Sequence, residues 1–394
     1  MKLPSKFTAL VCCIVLLVLA GAGTSLWGQT AGFAYVANCG SSNCASIGSG
    51  NVSAYTIDGT TGALTPVAGS PFPAGSIPTS LRVDPTGQFA YVSNAGSNNV
   101  SAYTINGSTG ALTPVSGSPF PAGSFPISVT TDPAGRFAYV ANGNSNNISA
   151  YTIDAGTGAL TPVVGSPFPA GSFPISVTVD PTGQFAYVAN CQSFNCSVKG
   201  NVSAYTIDGI TGALTPVAGS PFAAESGPIS VAVHPTGQFA YVGNFGSRNV
   251  SAYSIDGITG ALTPVAGSPF PAGSYPHSVT VDPRGQFAYV ANGYSSTDVS
   301  AYTIDGTTGA LTPVAGSPFP AGSYPASVTV DATGQFAYVA NLYSNNVSAY
   351  TIDGTTGALT PVAGSPFPAG SGPYWVTTTA GPQPPPASAT AARK

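Results

Sequence analysis

The stretch FPISVTVDPTGQFAYVAN, residues 173–190, contains the pattern that decides the fold. Its first part, Phe173–Asp180, is rich in β-branched residues, which favours a β-strand. The following Asp-Pro-Thr-Gly segment, residues 180–183, places Asp, Pro and Gly at the first, second and fourth positions of a type I turn. A second apolar run, Phe185–Asn190, comes directly after the turn. The sequence therefore predicts two antiparallel strands joined by a tight turn.

The tetrapeptide FAYV begins seven similar units, spaced by 48 to 56 residues. In the unit that precedes the stretch above, two further strands are expected at Ile148–Asp154 and Ala159–Val163. Self-similarity at this period is typical of a propeller, in which each unit forms one four-stranded blade. The sequence thus predicts an all-β, seven-bladed β-propeller of four-stranded antiparallel blades. The seven copies of FAYV start at Phe33, Phe89, Phe137, Phe185, Phe239, Phe287 and Phe336.

The two ends of the repeat array predict how the ring closes. The chain enters the array at the second strand of a blade, and the segment GPYWVTTT, Gly372–Thr379, matches the inner strand of the other units. We expect this C-terminal strand to pair with the N-terminal blade, which leaves no open sheet edge. The propeller domain is predicted over residues 31–381. Residues 382–394 are rich in Pro and Ala and are predicted to be disordered.

Residues 1–30 have the pattern of an export signal. Lys2 and Lys6 precede an apolar run, Ala9–Ala22, that is short for a bilayer span and ends in small residues. A cleaved signal peptide predicts an extracytoplasmic protein, secreted or periplasmic; an uncleaved anchor is the alternative. Two C-x4-C pairs lie beyond this segment and, in an oxidising compartment, predict the disulfides Cys39–Cys44 and Cys191–Cys196. The alternative is a metal site, but neither loop has the additional His or Cys that such a site needs.

The charge content excludes several classes of function. Only 6% of the residues are charged, and nine basic residues stand against 13 acidic ones. A nucleic-acid partner or an anionic membrane needs a basic surface on the protein, and this chain has an excess of acidic residues. Neither partner is therefore expected after signal cleavage. The chain has two His and one Glu, which leaves few groups for proton transfer at neutral pH. Neither a cofactor nor a metal ion is predicted.

Comparison of the seven copies with one another predicts where a ligand would bind. The DPTGQ and DGTTGAL turns hardly vary, whereas the loop after FAYVAN and the GS-x-P approach to the inner strand do. These two variable segments are expected on one face, around the mouth of the central channel, where a propeller carries recognition. Neutral drift in solvated loops is the alternative. The candidate binding residues, for a carbohydrate, small-molecule or protein partner, are Phe125, Phe173, Arg248, Tyr275, Tyr294 and Tyr324.

Few reactive side chains fall outside the repeat pattern. His277 and Glu225 lie in approach segments of adjacent copies, and Asp298 lies in a loop, all on the variable face. They are the candidate catalytic residues, since a His with a carboxylate partner can move protons in a hydrolysis. A polar residue at the rim of the channel is the alternative interpretation of a single His at this place.

The repeat P-x-S-V-x-x-D-P-x-G-x-x-A-Y-V-A-N…V-S-A-Y-x-I-D…T-G-A-L resembles that of the seven-bladed lactonase-like propellers, including the 6-phosphogluconolactonase type and the YVTN-repeat proteins. The resemblance extends from Phe33 to about Thr379. It implies a lactone hydrolase whose His-x-His-Ser-Val segment is matched by YPHSV, residues 275–279, with Asp298 later in the same blade. Tyr275 replaces the first His of that segment, and Asn292 stands where the family has an acid.

Two functions follow as hypotheses. The first is an exported, lactonase-like propeller that serves as a binding or interaction scaffold through its variable face. The second is a lactone hydrolase with its site at the channel mouth. A propeller selected only for stability after recent duplication is a third, less specific interpretation. The hydrolase hypothesis requires that His277, Glu225 and Asp298 converge on one pocket.

Overall fold

The computed structural model describes residues 30–41, 44 and 48–379. The signal peptide expected at residues 1–30 lies outside the described residues except for Thr30, and the tail expected at 382–394 lies wholly outside them. Within the described part, every regular element is a β-strand. No helix there is long and apolar enough to cross a membrane.

The described chain contains 35 strands. In chain order they are β1 (Thr30–Asn38), β2 (Ser49–Asp58), β3 (Leu64–Pro66), β4 (Phe72–Ser76), β5 (Pro78–Val83), β6 (Phe89–Asn94), β7 (Asn99–Ile105), β8 (Leu112–Pro114), β9 (Phe120–Pro121), β10 (Pro126–Thr131), β11 (Phe137–Asn142), β12 (Asn147–Ile153), β13 (Leu160–Pro162), β14 (Phe168–Pro169), β15 (Pro174–Val179), β16 (Phe185–Asn190), β17 (Lys199–Ile207), β18 (Leu214–Pro216), β19 (Phe222–Ser226), β20 (Pro228–Val233), β21 (Phe239–Asn244), β22 (Asn249–Ile255), β23 (Leu262–Pro264), β24 (Phe270–Pro271), β25 (Pro276–Val281), β26 (Phe287–Asn292), β27 (Asp298–Ile304), β28 (Leu311–Pro313), β29 (Phe319–Pro320), β30 (Pro325–Val330), β31 (Phe336–Asn341), β32 (Asn346–Ile352), β33 (Leu359–Pro361), β34 (Phe367–Pro368) and β35 (Pro373–Thr378).

The strands form seven antiparallel sheets, so the predicted seven-bladed propeller is confirmed. Blade 1 has the order β35–β1–β2–β3, with β4 also paired to β2. The other blades follow in chain order, from β5–β9 for blade 2 to β30–β34 for blade 7. The inner strands, which surround the channel, are β35, β5, β10, β15, β20, β25 and β30 for blades 1 to 7.

The ring closes as the sequence predicts. Strand β35 at the C-terminal end pairs with β1 at the other end of the described chain, with Ala34 opposite Thr378 and Val36 opposite Val376. Blade 1 is therefore built from both ends of the array. Its N-terminal strand would otherwise present an unpaired edge, because β1 has β2 on one side only.

The outer strand of each blade differs from the expectation. Instead of one strand at Ala159–Val163, the third unit has two short segments, β13 and β14, that pair with different parts of β12. The reason lies between them: the hydroxyl of Ser166 accepts a hydrogen bond from the Ala150 N–H of β12 at 2.9 Å. A side chain thus replaces a backbone partner in the middle of the outer edge, and the ladder is interrupted there.

The core lies between adjacent blades rather than within one. Alternating residues of a strand point to opposite faces, so each sheet presents apolar side chains to both neighbours. Two tyrosines of every unit form hydrogen bonds between adjacent blades. The Tyr35 hydroxyl donates to the Gly110 carbonyl of the next blade at 2.9 Å, and the Tyr103 hydroxyl donates back to the Pro73 carbonyl. The same pair of bonds recurs around the ring, up to Tyr338, which donates to Gly62 of blade 1 and completes the circle.

Candidate functional site

A cavity of about 610 Å³ opens at the mouth of the channel, on the face that carries the variable loops. Two positions of each unit surround it: the approach residue, which precedes the first proline of the inner strand, and the ring residue, which follows that proline. The approach residues are Ile77, Phe125, Phe173, Gly227, Tyr275, Tyr324 and Gly372. The ring residues are Thr79, Ile127, Ile175, Ile229, His277, Ala326 and Tyr374.

All seven approach residues have a left-handed backbone, with φ between 51° and 68°. Glycine adopts this conformation freely, whereas other L-residues are destabilised by roughly 1–2 kcal/mol. Hydrogen bonds on both sides hold it: the N–H of Phe173 donates to Asn146 Oδ1 at 2.8 Å, and its carbonyl accepts from Cys191 N–H at 3.1 Å. Five units nevertheless place a large side chain here. Strained positions of this kind cluster at binding and catalytic sites.

The two glycines among the approach residues are explained by the disulfide loops. A Cβ on Gly227 would collide with the Cys196 carbonyl, and one on Gly372 would collide with the Ser41 carbonyl. The predicted disulfides Cys39–Cys44 and Cys191–Cys196 are both present. Each disulfide loop therefore occupies the space that an approach side chain fills in the other five units.

Aromatic rings cover the cavity in two groups. The phenylalanine group consists of Phe125, Phe173 and Phe194, whose ring centroids are 5.7 to 6.3 Å apart. The tyrosine group begins at Phe245 and continues around the mouth, with neighbouring centroids 4.8 to 6.3 Å apart. Its other members are Tyr275, Tyr294, Tyr324 and Tyr343.

His277 lies in the cavity beside the tyrosine group. Its Nδ1 is 2.7 Å from the Ala326 carbonyl, and because a carbonyl only accepts, Nδ1 carries the proton and Nε2 is the acceptor. The Nε2 atom faces the Tyr374 hydroxyl at 3.4 Å. Burial lowers the pKa of His277 to about 4, so its imidazole is neutral at pH 7. Burial also raises the pKa of Tyr374 to about 12, and its phenol stays protonated.

The two carboxylates predicted to assist His277 do not converge with it. The Glu225 carboxylate lies 3.7 Å from the Lys199 ammonium, away from the cavity lining. Asp298 starts β27, where it accepts hydrogen bonds from Asn292 Nδ2 and from the Ser296 hydroxyl, both at 2.6 Å. The hypothesis of a three-residue centre therefore needs correction: the structure places only His277 at the cavity.

The position of Asp298 has a structural explanation. Other units have an asparagine at this place, whose side-chain oxygen accepts from the asparagine that ends FAYVAN, as Asn147 does from Asn142 at 2.9 Å. Asp298 accepts the equivalent bond from Asn292. A carboxylate serves here as well as an amide because only the acceptor oxygen is used.

Five of the six predicted binding residues line the cavity: Phe125, Phe173, Tyr275, Tyr294 and Tyr324. Arg248 does not. Its guanidinium lies over the Tyr275 ring, 4.8 Å from the centroid, and donates to the Tyr275 hydroxyl at 3.1 Å. No Asp, Glu, Lys or Arg of the described residues lines the cavity.

Sequence reasoning missed several lining residues. Phe194, Phe245 and Tyr343 lie in the variable loops, and Tyr374 is the ring residue of the last unit. Alignment of the seven copies at the first proline of the inner strand would have placed Tyr374 in the same ring as His277. The aromatic content of the loops was a further available signal.

The sequence matches the profile of the family described as lactonase, 7-bladed beta-propeller. Three overlapping segments match, residues 49–173, 168–268 and 199–377, which together span most of the chain. The chain belongs to this lactonase family. No curated protein matches it in sequence.

Solved structures of similar shape agree with the family's fold. A candidate 6-phosphogluconolactonase from Bacteroides uniformis aligns with a TM-score of 0.75 and 19% identity, covering 89% of this chain and all of the other. A similar candidate from Bacteroides fragilis gives 0.72 and 19%, covering 89% and 98%. The periplasmic gluconolactonase of Pseudomonas aeruginosa gives 0.71 and 18%, covering 89% and 100%. At these identities the likeness shows the fold alone.

Groups of three or more His, Cys, Asp or Glu side chains that suit a metal ion do not occur within the described residues. The four cysteines of the loops are paired in disulfides. The cavity lining offers one neutral imidazole, several phenols, the hydroxyl and amide groups of Thr79, Ser128, Ser176 and Asn195, and a large apolar surface.

Proposed function

We propose that this lactonase-family propeller binds an uncharged small molecule in the cavity at the mouth of its channel. The observation that carries the proposal is the lining, which is mainly aromatic and aliphatic. It has one neutral imidazole and four neutral polar side chains (Thr79, Ser128, Ser176 and Asn195), and no charged group among the described residues. A volume of about 610 Å³ suits a small ligand. A phosphorylated sugar fits poorly, because the nearby cation, Arg248, lies outside the lining and is engaged with Tyr275.

The strained approach residues support a binding role. Two units have glycine at the approach position, and in both a disulfide loop occupies the space of the side chain. Five units have Ile, Phe or Tyr despite the left-handed backbone that destabilises these residues. Ile77, Phe125, Phe173 and Tyr324 pack in apolar clusters at the channel mouth. All five approach side chains also contribute to the cavity lining, where a ligand would meet them.

Lactone hydrolysis at the same site is the second candidate, favoured by the state of His277. Its unprotonated Nε2 faces the cavity next to the Tyr374 hydroxyl. In such a reaction Nε2 takes a proton from water as the water oxygen bonds to the lactone carbonyl carbon. The Tyr374 hydroxyl donates a hydrogen bond to the carbonyl oxygen. The ring C–O bond then breaks, and the imidazolium returns the proton to the leaving alkoxide, giving a hydroxy acid.

We also propose that the protein lies outside the cytoplasm. The two disulfides support an oxidising compartment, and the periplasmic gluconolactonase among the structural neighbours has such a location. Detection of the protein in the periplasmic or culture-medium fraction of its host, with both pairs of cysteines oxidised, tests this proposal. Recovery in the cytoplasmic fraction alone contradicts it.

Titration with N-phenyl-1-naphthylamine, an uncharged dye that fluoresces in apolar sites, tests the binding proposal. We expect one saturable site whose affinity falls about tenfold in Phe194→Ser, which removes a ring from the lining. Ile258→Thr is the matched control: Ile258 is 91% exposed in the turn on the opposite face, and other units have Thr there. Absence of saturable dye binding contradicts the proposal. So does a fall in dye affinity in Ile258→Thr without one in Phe194→Ser.

Hydrolysis of γ- and δ-lactones, followed by pH-stat, tests the second candidate. We expect His277→Gln to abolish turnover and His234→Asp to leave it unchanged. His234 is buried and its Nε2 lies 2.9 Å from the Gly285 carbonyl, in a turn where five other units have Asp. No turnover by the folded protein with any lactone of the panel contradicts hydrolysis and leaves the binding proposal in place.

A further inference from the structure

The cavity lining is divided into two arcs of different chemistry. Blades 3, 4 and 5 contribute Ile127, Ile175 and Ile229 at the ring position. Blades 6 and 1 contribute His277 and Tyr374, with Ala326 of blade 7 between them. Phe173 packs with Ile175 and Ile229, whereas the rings of Tyr324 and Tyr374 lie 5.6 and 5.3 Å from the His277 imidazole. Phe245 contacts both arcs, through Ile229 and His277.

The isoleucine arc offers a ligand little hydrogen bonding. Ser128 and Ser176 lie in this arc, but both are buried and their hydroxyl oxygens accept from the Val177 and Val231 N–H of the next blades, each at 3.2 Å. Asn195 is exposed at the rim, and its amide oxygen accepts from two neighbouring serines. The rest of the lining at this side of the cavity is aliphatic and phenyl surface, so apolar contact dominates there.

The tyrosine arc has the opposite character. His277 Nε2 is an acceptor because Nδ1–H is held by the Ala326 carbonyl. The Tyr374 hydroxyl lies next to it, and further phenols are present on Tyr294, Tyr324 and Tyr343. An acceptor beside phenolic hydroxyls suits hydroxyl groups on a ligand, which both donate and accept.

We infer that the ligand is an uncharged amphiphile, with a hydroxyl-bearing head at His277 and Tyr374 and an alkyl or aryl tail against the isoleucine arc. The inference rests on the binding function proposed above and adds the class and orientation of the ligand. A purely hydrophilic sugar would leave the isoleucine arc without an apolar partner. A fatty acid would bring an unpaired carboxylate into a lining that, in the described part of the chain, has no charged side chain, which is strongly unfavourable.

A homologous series of n-alkyl β-D-glucosides, from methyl to octyl and below their critical micelle concentrations, tests the inference by displacement of N-phenyl-1-naphthylamine. We expect the affinity to rise about fourfold for each added methylene until the arc is filled. Octanoate, which carries an alkyl tail of similar length on an anionic head, should displace the dye at least tenfold more weakly than octyl glucoside.

Two variants test the orientation. Ile175→Thr introduces the residue that occupies the same position in another unit, Thr79, and should reduce the gain for each methylene toward twofold. Tyr374→Phe should weaken all members of the series by one common factor, because it changes only the head site. Phe173→Gly provides a second tail-side variant, and thermal unfolding establishes that each variant is folded.

The outcomes separate the two proposals. Saturable dye binding together with glucoside affinity that is independent of chain length overturns the amphiphile inference and leaves the binding proposal intact. A chain-length effect that Tyr374→Phe diminishes and Ile175→Thr does not overturns the orientation. Absence of saturable dye binding overturns both proposals.

Discussion

The imidazole of His277 and the phenol of Tyr374 lie 3.4 Å apart at their polar atoms, although 97 positions separate them in the sequence. They belong to blades 6 and 1, and blade 7 lies between. The contact is possible because the ring residue of blade 7 is Ala326, whose methyl group leaves the space open, while its carbonyl holds His277 Nδ1. Three units in the other arc have isoleucine at this position.

Filling the gap at Ala326 should uncouple the two residues. Ala326→Ile introduces a side chain that other units accept, but at a fully buried site, so we expect a loss of about 1–3 kcal/mol in unfolding free energy. A double-mutant cycle of His277→Gln and Tyr374→Phe should give a coupling of roughly 0.5–1 kcal/mol in the native background. With Ala326→Ile present, the coupling should vanish; an unchanged coupling would show that Ala326 has no part in the contact.

The lowered pKa of His277 predicts how stability depends on pH. The unfolded chain binds a proton at this residue as the pH falls through 6.5, whereas the folded protein does so only near pH 4. The contribution of neutral His277 to the free energy of unfolding is therefore complete above pH 6.5. It is lost as the pH falls from 6.5 to 4, by up to about 1.4 kcal/mol for each pH unit. Urea denaturation at several pH values should show this slope reduced in His277→Gln. Parallel profiles for the two proteins would contradict the assignment.

If the protein hydrolyses lactones, the same pKa fixes the acid limb of its activity. The base form of His277 is fully populated above about pH 5, so kcat/KM should be level from there to neutrality. Below pH 5 it should decline with an apparent pKa of about 4. A decline of kcat/KM with an apparent pKa near 6.5 would mean that the catalytic group is not the His277 imidazole in this environment.

Substitutions at Tyr324 separate backbone strain from ligand contact. Tyr324 has φ of 56°, so Tyr324→Gly relieves the left-handed strain that Tyr324→Ala retains. Both variants lose the same ring and should bind the dye equally weakly. Thermal and urea unfolding should find the glycine variant more stable than the alanine variant by about 1 kcal/mol. Equal stabilities would contradict the strain argument.

The two disulfides form a matched pair for testing the phenylalanine group. Each disulfide closes a loop with a sequence separation of five. Removing either one should therefore lower the free energy of unfolding by about 2 kcal/mol. The two double variants are Cys39→Ser with Cys44→Ser, and Cys191→Ser with Cys196→Ser. Only the second loop carries Phe194. Dye affinity should therefore fall more in the second double variant than in the first. A larger loss in the first would indicate that Phe194 is not part of the site.

The fold was predictable because each unit contains its own strands and turns. The Asp180 carbonyl accepts from Gly183 N–H at 3.0 Å in the expected turn, and its carboxylate accepts from Phe185 N–H, so local sequence alone determines this hairpin. Ring closure was predictable because the sequence has one inner strand without a blade, β35, and one blade without an inner strand, which starts at β1. The break in the outer strand was not predictable. There the hydroxyl of Ser166, rather than a backbone carbonyl, accepts from the Ala150 N–H, and strand propensity carries no information on such a bond.

The site was predictable only in part. Comparison of the copies found the approach residues, because their variation is visible in the sequence. Asp298 was expected at the cavity but bonds Asn292 and Ser296 instead. A carboxylate beside a loop has the same sequence signature whether it holds a neighbour or faces a cavity. The partner of His277 was missed because ring geometry, not spacing along the chain, brings Tyr374 to it.

A crystal structure of the protein with octyl β-D-glucoside tests the central claim most directly. The account predicts the ligand in the cavity, with a sugar hydroxyl within hydrogen-bond distance of His277 Nε2 and the alkyl chain along Phe173 and Ile175. An empty cavity at saturating glucoside, or a glucoside bound with its sugar against Ile175 and its chain against His277, would contradict it.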